Sequence, residues 1–208
     1  MIDQKRMEEV KKNIPRYLEE KLITKKKLDY SLVDFYRKTA ASSLKVAEIL
    51  FTLSTQEDAK QKLLLEKDFE SYLWVSVSGY YAMFYIGNAA LAQLGIKIGD
   101  KIVHKVTSDS LIFYFLMTGK LAKQYIEEYE KSMKDALEVI GADESKIRKT
   151  LQQKAFDLIQ TFDLEREKRG HYQYKTTVSI KENIAKTSLE RAKLFFSEME
   201  KVIERGKR

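Results

Sequence analysis

Arg166 and His171 are the two residues of this 208-residue chain whose types and spacing best suit chemistry. Arginine is a permanent cation whose planar fork of donors fits a phosphate group, and histidine exchanges protons near neutral pH. Gly170 allows the backbone to turn between them, so that His171 can come back beside Arg166. A proton-transfer group and a phosphate-binding group are two parts that metal-independent phosphodiester cleavage needs.

Arg166 also continues the apolar stripe of a helix that is predicted to begin at Asp143 and to end at Gly170. The inner positions of that helix are Ile147, Leu151, Ala155, Leu158 and Phe162. An unpaired buried charge is costly, so Arg166 should pair with an acid across the bundle or face a cleft or a subunit interface. The structural alternative is that Arg166 and His171 only complement the negative end of the helix dipole.

The other candidate residues have simpler interpretations. His104 lies in an apolar segment, where a core or capping role is expected. The tyrosines of the central apolar segment are expected to pack rather than to stack on bases, and the basic run Lys25 to Lys27 is expected to be a solvated face. Glu127, Glu128 and Glu130 lie on a charged helix and are predicted to be at the surface. The sequence shows no metal-ligand cluster and no glycine-rich phosphate loop, so no metal or cofactor is predicted.

Helices must position these residues, because apolar residues recur three and four positions apart through most of the chain. A charged helix is predicted from about Lys5 to Leu22, with Pro15 bending or interrupting it. The next helix should be capped by Asp29 or Ser31 and be followed by a loop at 52–61. The inner face of this second helix carries Val33, Tyr36, Ala40, Leu44, Ala47 and Phe51.

The second half of the pattern begins with an uncharged central helix, predicted from about Phe69 to Leu94 with Gly95 at its end. A helix at about 108–117, stopped near Gly119, comes next. Two more helices have regular inner faces. The face of the first consists of Ala122, Ile126, Tyr129, Met133, Ala136 and Ile140. The face of the last helix of the chain consists of Ala185, Leu189, Ala192, Phe196, Met199 and Ile203. A capping box at Ser179 and Glu182 precedes this last helix.

The uncharged stretch from Ser71 to Ile96 is long enough to span a bilayer. However, it contains Gly79, Asn88 and Gln93, and its tyrosines fall towards the middle rather than only at the interfacial ends. A helix that is apolar nearly all round is also what the centre of a soluble bundle requires. The sequence therefore favours a buried central helix and no membrane association.

Composition agrees with a helical cytoplasmic protein. One proline and eight glycines are too few for the turns of an all-β fold. The absence of cysteine excludes disulfides and suits a reducing compartment, and the N-terminus resembles no signal or transit peptide. A net charge of +7 favours an anionic partner.

We expect one all-α domain over 1–208, an antiparallel up-and-down bundle of about five to seven helices. The predicted domain has an N-terminal extension at 1–28 and a core at 30–205.

Three segments resemble the HEPN (higher eukaryotes and prokaryotes nucleotide-binding) family. They are the tyrosine-rich helix SGYYAMFYIGNAALAQLG, the following HKVTSDSLIFYFL, and the closing REKRGHYQYKTTVSIKENIAKTSLERAKLFFSEM, in which Arg166 and His171 have an Arg-x4-His spacing. The resemblance covers roughly residues 30–205. It implies an antiparallel helical bundle that forms a homodimer, and in many members an RNA endonuclease whose motifs from two subunits meet in one cleft. Some members are toxins paired with a nucleotidyltransferase antitoxin.

Three functions follow as hypotheses, the third being a purely structural helical adaptor. In the first, Arg166 holds the scissile phosphate of RNA and His171 transfers protons. Lys168 and Arg169 then bind flanking phosphates, and Tyr172 or Tyr174 stacks a base. The second rests on a departure from the family pattern, since active members often carry a small polar residue after the arginine where this chain has Glu167. In that hypothesis the domain is a non-catalytic module that binds a nucleotide or a partner protein such as a nucleotidyltransferase.

Overall fold

The computed structural model describes residues 2–139 and 178–206 of the chain. Within those ranges the protein consists of seven α-helices, a single π-helical turn and a two-stranded antiparallel ribbon. The predicted all-α bundle is therefore confirmed, with a small ribbon that the sequence did not predict. The helix predicted at 143–170 and Ile140 lie outside the described residues.

The N-terminal helix, α1 (Gln4–Glu19), begins where the side chain of Asp3 accepts a hydrogen bond from the Arg6 amide at 2.8 Å. Pro15 lies inside this helix without interrupting it. The proline faces solvent, so water can satisfy the carbonyl one turn earlier that loses its helical donor. Val10, Ile14 and Tyr17 are buried against the main core, and α1 therefore packs as part of the bundle.

The second helix, α2 (Tyr30–Thr55), is capped by Asp29, which accepts the amides of Ser31 and Leu32. Its predicted inner face is confirmed, because Val33, Ala40 and Ala47 are buried and Tyr36, Leu44 and Phe51 are half-buried. The prediction of a loop at 52–61 was wrong. Helix α2 continues through Thr55, and a short helix, α3 (Glu57–Lys62), follows almost at once.

Helix α4 (Tyr72–Gln93) is the central helix, and 16 of its residues are buried. It is antiparallel to α2, since Ser54 lies beside Ser71 at one end and Tyr36 beside Tyr85 at the other. Among the described helices none is both long and apolar enough to cross a membrane. Tyr72 and Tyr80 are buried and the other two tyrosines half-buried, which confirms their predicted packing role.

A short ribbon joins the ends of α1 and α4. Strands β1 (Ile23–Lys25) and β2 (Ile96–Ile98) are antiparallel, with Thr24 opposite Lys97. Gly95 leads out of α4 with φ +72°, as its predicted C′ position requires. A Cβ at Gly95 would lie 2.3 Å from the carbonyl oxygen of Lys26, so only glycine permits this contact.

Helix α5 (Val103–Leu111) runs directly into a π-helical turn (Ile112–Leu116), and Gly119 ends the segment with φ +70°. The predicted helix here was correct in type but starts five residues earlier than expected. Helix α6 (Lys123–Val139) buries Ile126, Tyr129 and Ala136 as predicted, whereas Ala122 is exposed.

The last helix, α7 (Val178–Arg205), runs parallel to α4, because Glu182 lies beside Tyr72 and Gly206 beside Gln93. Its predicted inner face is confirmed apart from Phe196, which is only half-buried beside a fully buried Phe195. Helix α6 is antiparallel to α7, since Tyr129 lies beside Phe195 and Asp135 beside Arg191. The described helices α2, α4, α6 and α7 thus alternate in direction, as in an up-and-down bundle.

Candidate functional site

The residues predicted to carry chemistry all lie outside the part of the chain that the structure describes. These are Arg166, Lys168, Arg169, His171, Tyr172 and Tyr174. The structure does define the two ends that the segment 140–177 joins, namely the C-terminus of α6 at Val139 and the N-terminus of α7 at Val178.

The start of α7 is fixed to the start of α4. Lys181 donates to Glu70 at 2.7 Å, and the Tyr72 hydroxyl donates to Glu182 at 3.4 Å. Beneath these polar contacts, Ala185 and Leu189 pack in a small apolar cluster with the buried residues of α2 and α4. The chain that leaves the predicted motif therefore enters a firmly packed helix within a few residues.

A buried carboxylate, Asp109 of α5, is the centre of the most connected polar cluster in the described residues. Its side chain has no exposure to solvent. Arg6 donates through Nη2 to Asp109 Oδ1 at 2.6 Å, while Asn13 and the Tyr17 hydroxyl each donate to Oδ2 at 2.9 Å. All three donors belong to α1, so a single carboxylate holds that helix against the bundle.

Glu130 of α6 shares the same arginine. Arg6 Nη2 lies 3.1 Å from Glu130 Oε1, and the Ser108 hydroxyl donates to that oxygen at 2.9 Å. The expectation that Glu127, Glu128 and Glu130 are surface residues was therefore wrong, since all three are half-buried. Glu130 joins α6 to α1 and α5 through these contacts.

The charges in this cluster shift the pKa of its members. Burial alone would lower the pKa of Arg6, but the carboxylates of Asp109 and Glu130 more than offset that effect and raise it. Burial and the Asp109 charge together raise the pKa of Tyr17. Arg6 is therefore held charged and Tyr17 neutral at neutral pH, as a structural network requires and as a proton-transfer site does not.

His104 of α5 forms a second polar contact in the core. The Tyr80 hydroxyl and His104 Nδ1 share a hydrogen bond of 2.6 Å, and the imidazole lies against Tyr81 and Phe84 at ring-centroid distances of 6.0 and 4.7 Å. Burial lowers the pKa of His104 to about 4. His104 is therefore a neutral core residue at physiological pH, and the predicted core role is confirmed.

A shallow surface groove between α2 and α7 has a volume of about 340 Å³. Lys45 and Lys193 line it, and both lie close to Glu48, at 3.4 and 3.0 Å. The hydrogen bond from Lys193 is the main reason that the pKa of Glu48 is lowered, and burial only partly opposes it. One carboxylate tied to two lysines leaves neither a free base nor a nucleophile, so the groove offers no catalytic arrangement.

Comparison of the chain with protein-family models, with curated proteins and with solved structures finds no match. The candidate site consequently rests on the chain's own residues and on the resemblance of its motifs.

Proposed function

We propose that this chain is a cytoplasmic, metal-independent RNA endonuclease that acts as a homodimer. The observation that carries the proposal is the Arg-x4-His spacing of Arg166 and His171, placed between a tyrosine-rich central helix and the final helix in the order that the HEPN resemblance implies. The up-and-down bundle formed by α2, α4, α6 and α7 is the kind of fold that this resemblance implies, which supports the proposal without locating the motif.

The proposed reaction follows from the chemistry of the two side chains. Arg166 holds the scissile phosphate and stabilises the negative charge that develops on its oxygens. His171 removes the proton of the adjacent 2′-hydroxyl, whose oxygen then forms a bond to phosphorus as the bond to the 5′-oxygen breaks, and a proton is returned to the leaving oxygen. The products are a 2′,3′-cyclic phosphate and a free 5′-hydroxyl. Lys168 and Arg169 bind neighbouring phosphates, and Tyr172 or Tyr174 stacks on a base.

The test compares the wild-type protein with Arg166→Ala and His171→Ala on a mixed RNA pool in the presence of EDTA. We expect both variants to lose about 10²–10⁴-fold in cleavage rate while keeping the circular dichroism of the wild type. Arg16→Ala is the matched control, because this exposed arginine forms only weak contacts within α1. They are 3.9 Å to Glu20, 3.4 Å to Asn13 Oδ1 and 5.5 Å to the centre of the Tyr17 ring, and their loss should leave cleavage unchanged. DNA should survive, since it lacks the attacking hydroxyl.

The alternative function is a non-catalytic module that binds a nucleotide or a nucleotidyltransferase partner, and Glu167 directly after Arg166 favours it. In that case Arg166 is a ligand clamp or an interface ion pair. Wild-type protein that leaves RNA intact but binds a nucleotide or such a partner, with binding lost in Arg166→Ala, would replace the enzyme proposal with this one.

A further inference from the structure

Six exposed lysines are brought together at the ribbon end of the molecule, although they come from two segments about 70 residues apart in the chain. We define this ribbon patch as Lys21, Lys25, Lys26, Lys27, Lys97 and Lys101. In the sequence only the run Lys25 to Lys27 is visible as a basic cluster. The other members join it because β1 pairs with β2.

Backbone hydrogen bonds fix the two segments to each other. Thr24 lies opposite Lys97 and Lys25 opposite Ile96. The ribbon is extended at both ends, because the Lys26 amide donates to the Gly95 carbonyl and the Gly99 amide to the Leu22 carbonyl, both at 2.8 Å. Each lysine of the patch is therefore within two residues of a paired backbone position. The cations are held together by the fold before any ligand arrives, which reduces the entropy cost of binding one.

The lysine side chains of the ribbon patch are available to a ligand, because they do not form ion pairs with described residues. None of the six lysines forms a salt bridge with a described residue. Asp29, which lies nearby, accepts hydrogen bonds mainly as the cap of α2, and Lys97 makes only a minor contribution to lowering its pKa. By contrast, other cations of the described chain, including Arg6, Arg37 and Arg191, are paired with acids.

The patch also holds the excess positive charge of the described residues. Those residues carry 28 basic and 25 acidic side chains, a net charge of +3. The segments 20–29 and 95–101 carry six lysines and three acids, which is likewise +3. The rest of the described residues are therefore balanced in charge, so that within the described part of the chain an anionic partner is attracted to this end.

An exposed aromatic residue closely follows the basic run in the chain. Tyr30, three residues after Lys27, is 58% exposed at the start of α2. Lysines that contact phosphates beside an aromatic ring that stacks on a base are the combination that binds single-stranded nucleic acid. An anionic lipid surface would also attract the cations, and a tyrosine can lie in a layer of lipid headgroups, so vesicles form one arm of the test below.

We propose that the ribbon patch, together with Tyr30, is a binding surface for the phosphate backbone of single-stranded nucleic acid. Of the acids in these segments, Asp29 caps α2 and Glu20 lies beside Arg16, and the segments contain no histidine, so the surface is one that binds and does not cleave. It does not include Arg166 or His171, and it stands whether or not those residues cut RNA.

Binding is measured by fluorescence anisotropy with two labelled 20-nucleotide probes, a single-stranded DNA and a 2′-O-methyl RNA of the same sequence. Neither probe has the free 2′-hydroxyl that the proposed cleavage uses, so failure of the enzyme proposal does not affect this assay. We expect Lys25→Gln/Lys26→Gln/Lys27→Gln to lose at least tenfold in affinity. The slope of log affinity against log salt should fall by about 2, since each lost phosphate contact on a single strand removes roughly 0.7.

The matched control is Lys62→Gln/Lys67→Gln/Lys131→Gln. These lysines are also exposed, and the control removes the same three charges away from the ribbon, so we expect less than a twofold loss. Tyr30→Ala should weaken binding of the single strand at least fivefold and binding of a duplex less than twofold, because only unpaired bases can stack on the ring.

Three results would overturn the proposal. Equal losses in the two triple variants would mean that net charge alone causes binding. Absence of measurable binding to both probes by the wild type would remove the surface altogether. Lysine-dependent capture by phosphatidylserine vesicles, with no lysine dependence for either oligonucleotide, would assign the patch to a lipid surface instead.

Discussion

Asp109 shows at the scale of single residues how much of this fold depends on one carboxylate. It is fully buried, and its three hydrogen-bond donors all come from α1. Removing one partner of a buried charged network leaves the others unpaired, which typically costs about 3–5 kcal/mol. We therefore expect Asp109→Ala to lower the free energy of unfolding by that amount in urea titrations. Glu48→Gln, which breaks a partly exposed pair, should change it far less, and a small effect of Asp109→Ala would mean that α1 is held by its apolar face alone.

His104 predicts a pH dependence of stability. Its pKa is about 4 in the folded protein because of burial, against an ordinary value of 6.5. Between these values the unfolded chain binds more protons than the folded one, so stability is complete above about pH 6.5 and is lost as the pH falls towards 4. The loss should be about 2 kcal/mol by pH 5.

The measurement is urea unfolding at pH 7 and pH 5 of the wild type and of His104→Gln, which cannot gain the proton. The variant is expected to be less stable at pH 7, because it disturbs the bond to Tyr80, but to lose less on acidification. Parallel pH profiles for the two proteins would show that carboxylates elsewhere cause the acid sensitivity.

Sequence patterns could not identify these networks, because they give no information on pairing across the fold. Arg6 lies 103 residues from Asp109 and 124 from Glu130 along the chain. Glu130 sits among other charged residues, and a charged helix is ordinarily a solvated surface. The core role of His104 was predictable because apolar residues surround it in sequence as well as in space.

Among the secondary-structure elements, the ribbon restricts the sequence most strongly, because its contact with Gly95 admits no side chain. Gly95 and Gly119 both have φ near +70°, but a Cβ would meet the Lys26 carbonyl oxygen at 2.3 Å only at Gly95 and would meet nothing within 4 Å at Gly119. Left-handed backbone alone costs an L-residue about 1–2 kcal/mol. We expect Gly119→Ala to destabilise by that amount and Gly95→Ala by clearly more, measured by thermal and urea unfolding. Equal losses would mean that the ribbon shifts to admit the methyl group without cost.

The long helices were predictable and the short elements were not, for a physical reason. The inner faces of α2, α6 and α7 repeat over many turns, so one unexpected residue such as Ala122 does not hide the pattern. Strands β1 and β2 have three residues each, too few to show alternation, and their pairing joins distant segments. Helix α3 has six residues and lies in a polar stretch that resembles a loop.

At the scale of the whole molecule, the sequence identified the bundle and a candidate motif, but no described residue tests that motif. The described helices show that α4 and α7 lie side by side and run in the same direction. They are in contact at Gly79, where a Cβ would lie 3.5 Å from Ala192 Cβ and from the Ser188 carbonyl oxygen, an ordinary packing distance. The polar networks found in this frame are structural, so Arg166 and His171 remain the best candidates for chemistry.

The proposed homodimer gives the last prediction, and it follows from the composite nature of the site. If the motifs of two subunits share one cleft, the cleft holds two copies of Arg166 and two of His171. Homodimers of Arg166→Ala or His171→Ala each lack one of the two residue types entirely. A hybrid of the two variants still holds one arginine and one histidine in the shared cleft. We expect the mixed protein, refolded together or coexpressed, to recover RNA cleavage that neither variant shows alone.

Light scattering should give twice the chain mass of 24.3 kDa for the wild type and for the hybrid. The control is a mixture of His171→Ala with the double variant Arg166→Ala/His171→Ala, which assembles in the same way but contains no intact histidine at position 171. Recovery must therefore be absent in the control and present in the hybrid. A hybrid that stays inactive beside an active wild type would place each Arg166–His171 pair within a single subunit. A wild type that cuts RNA as a monomer would remove the shared cleft while leaving the chemistry of the pair in place.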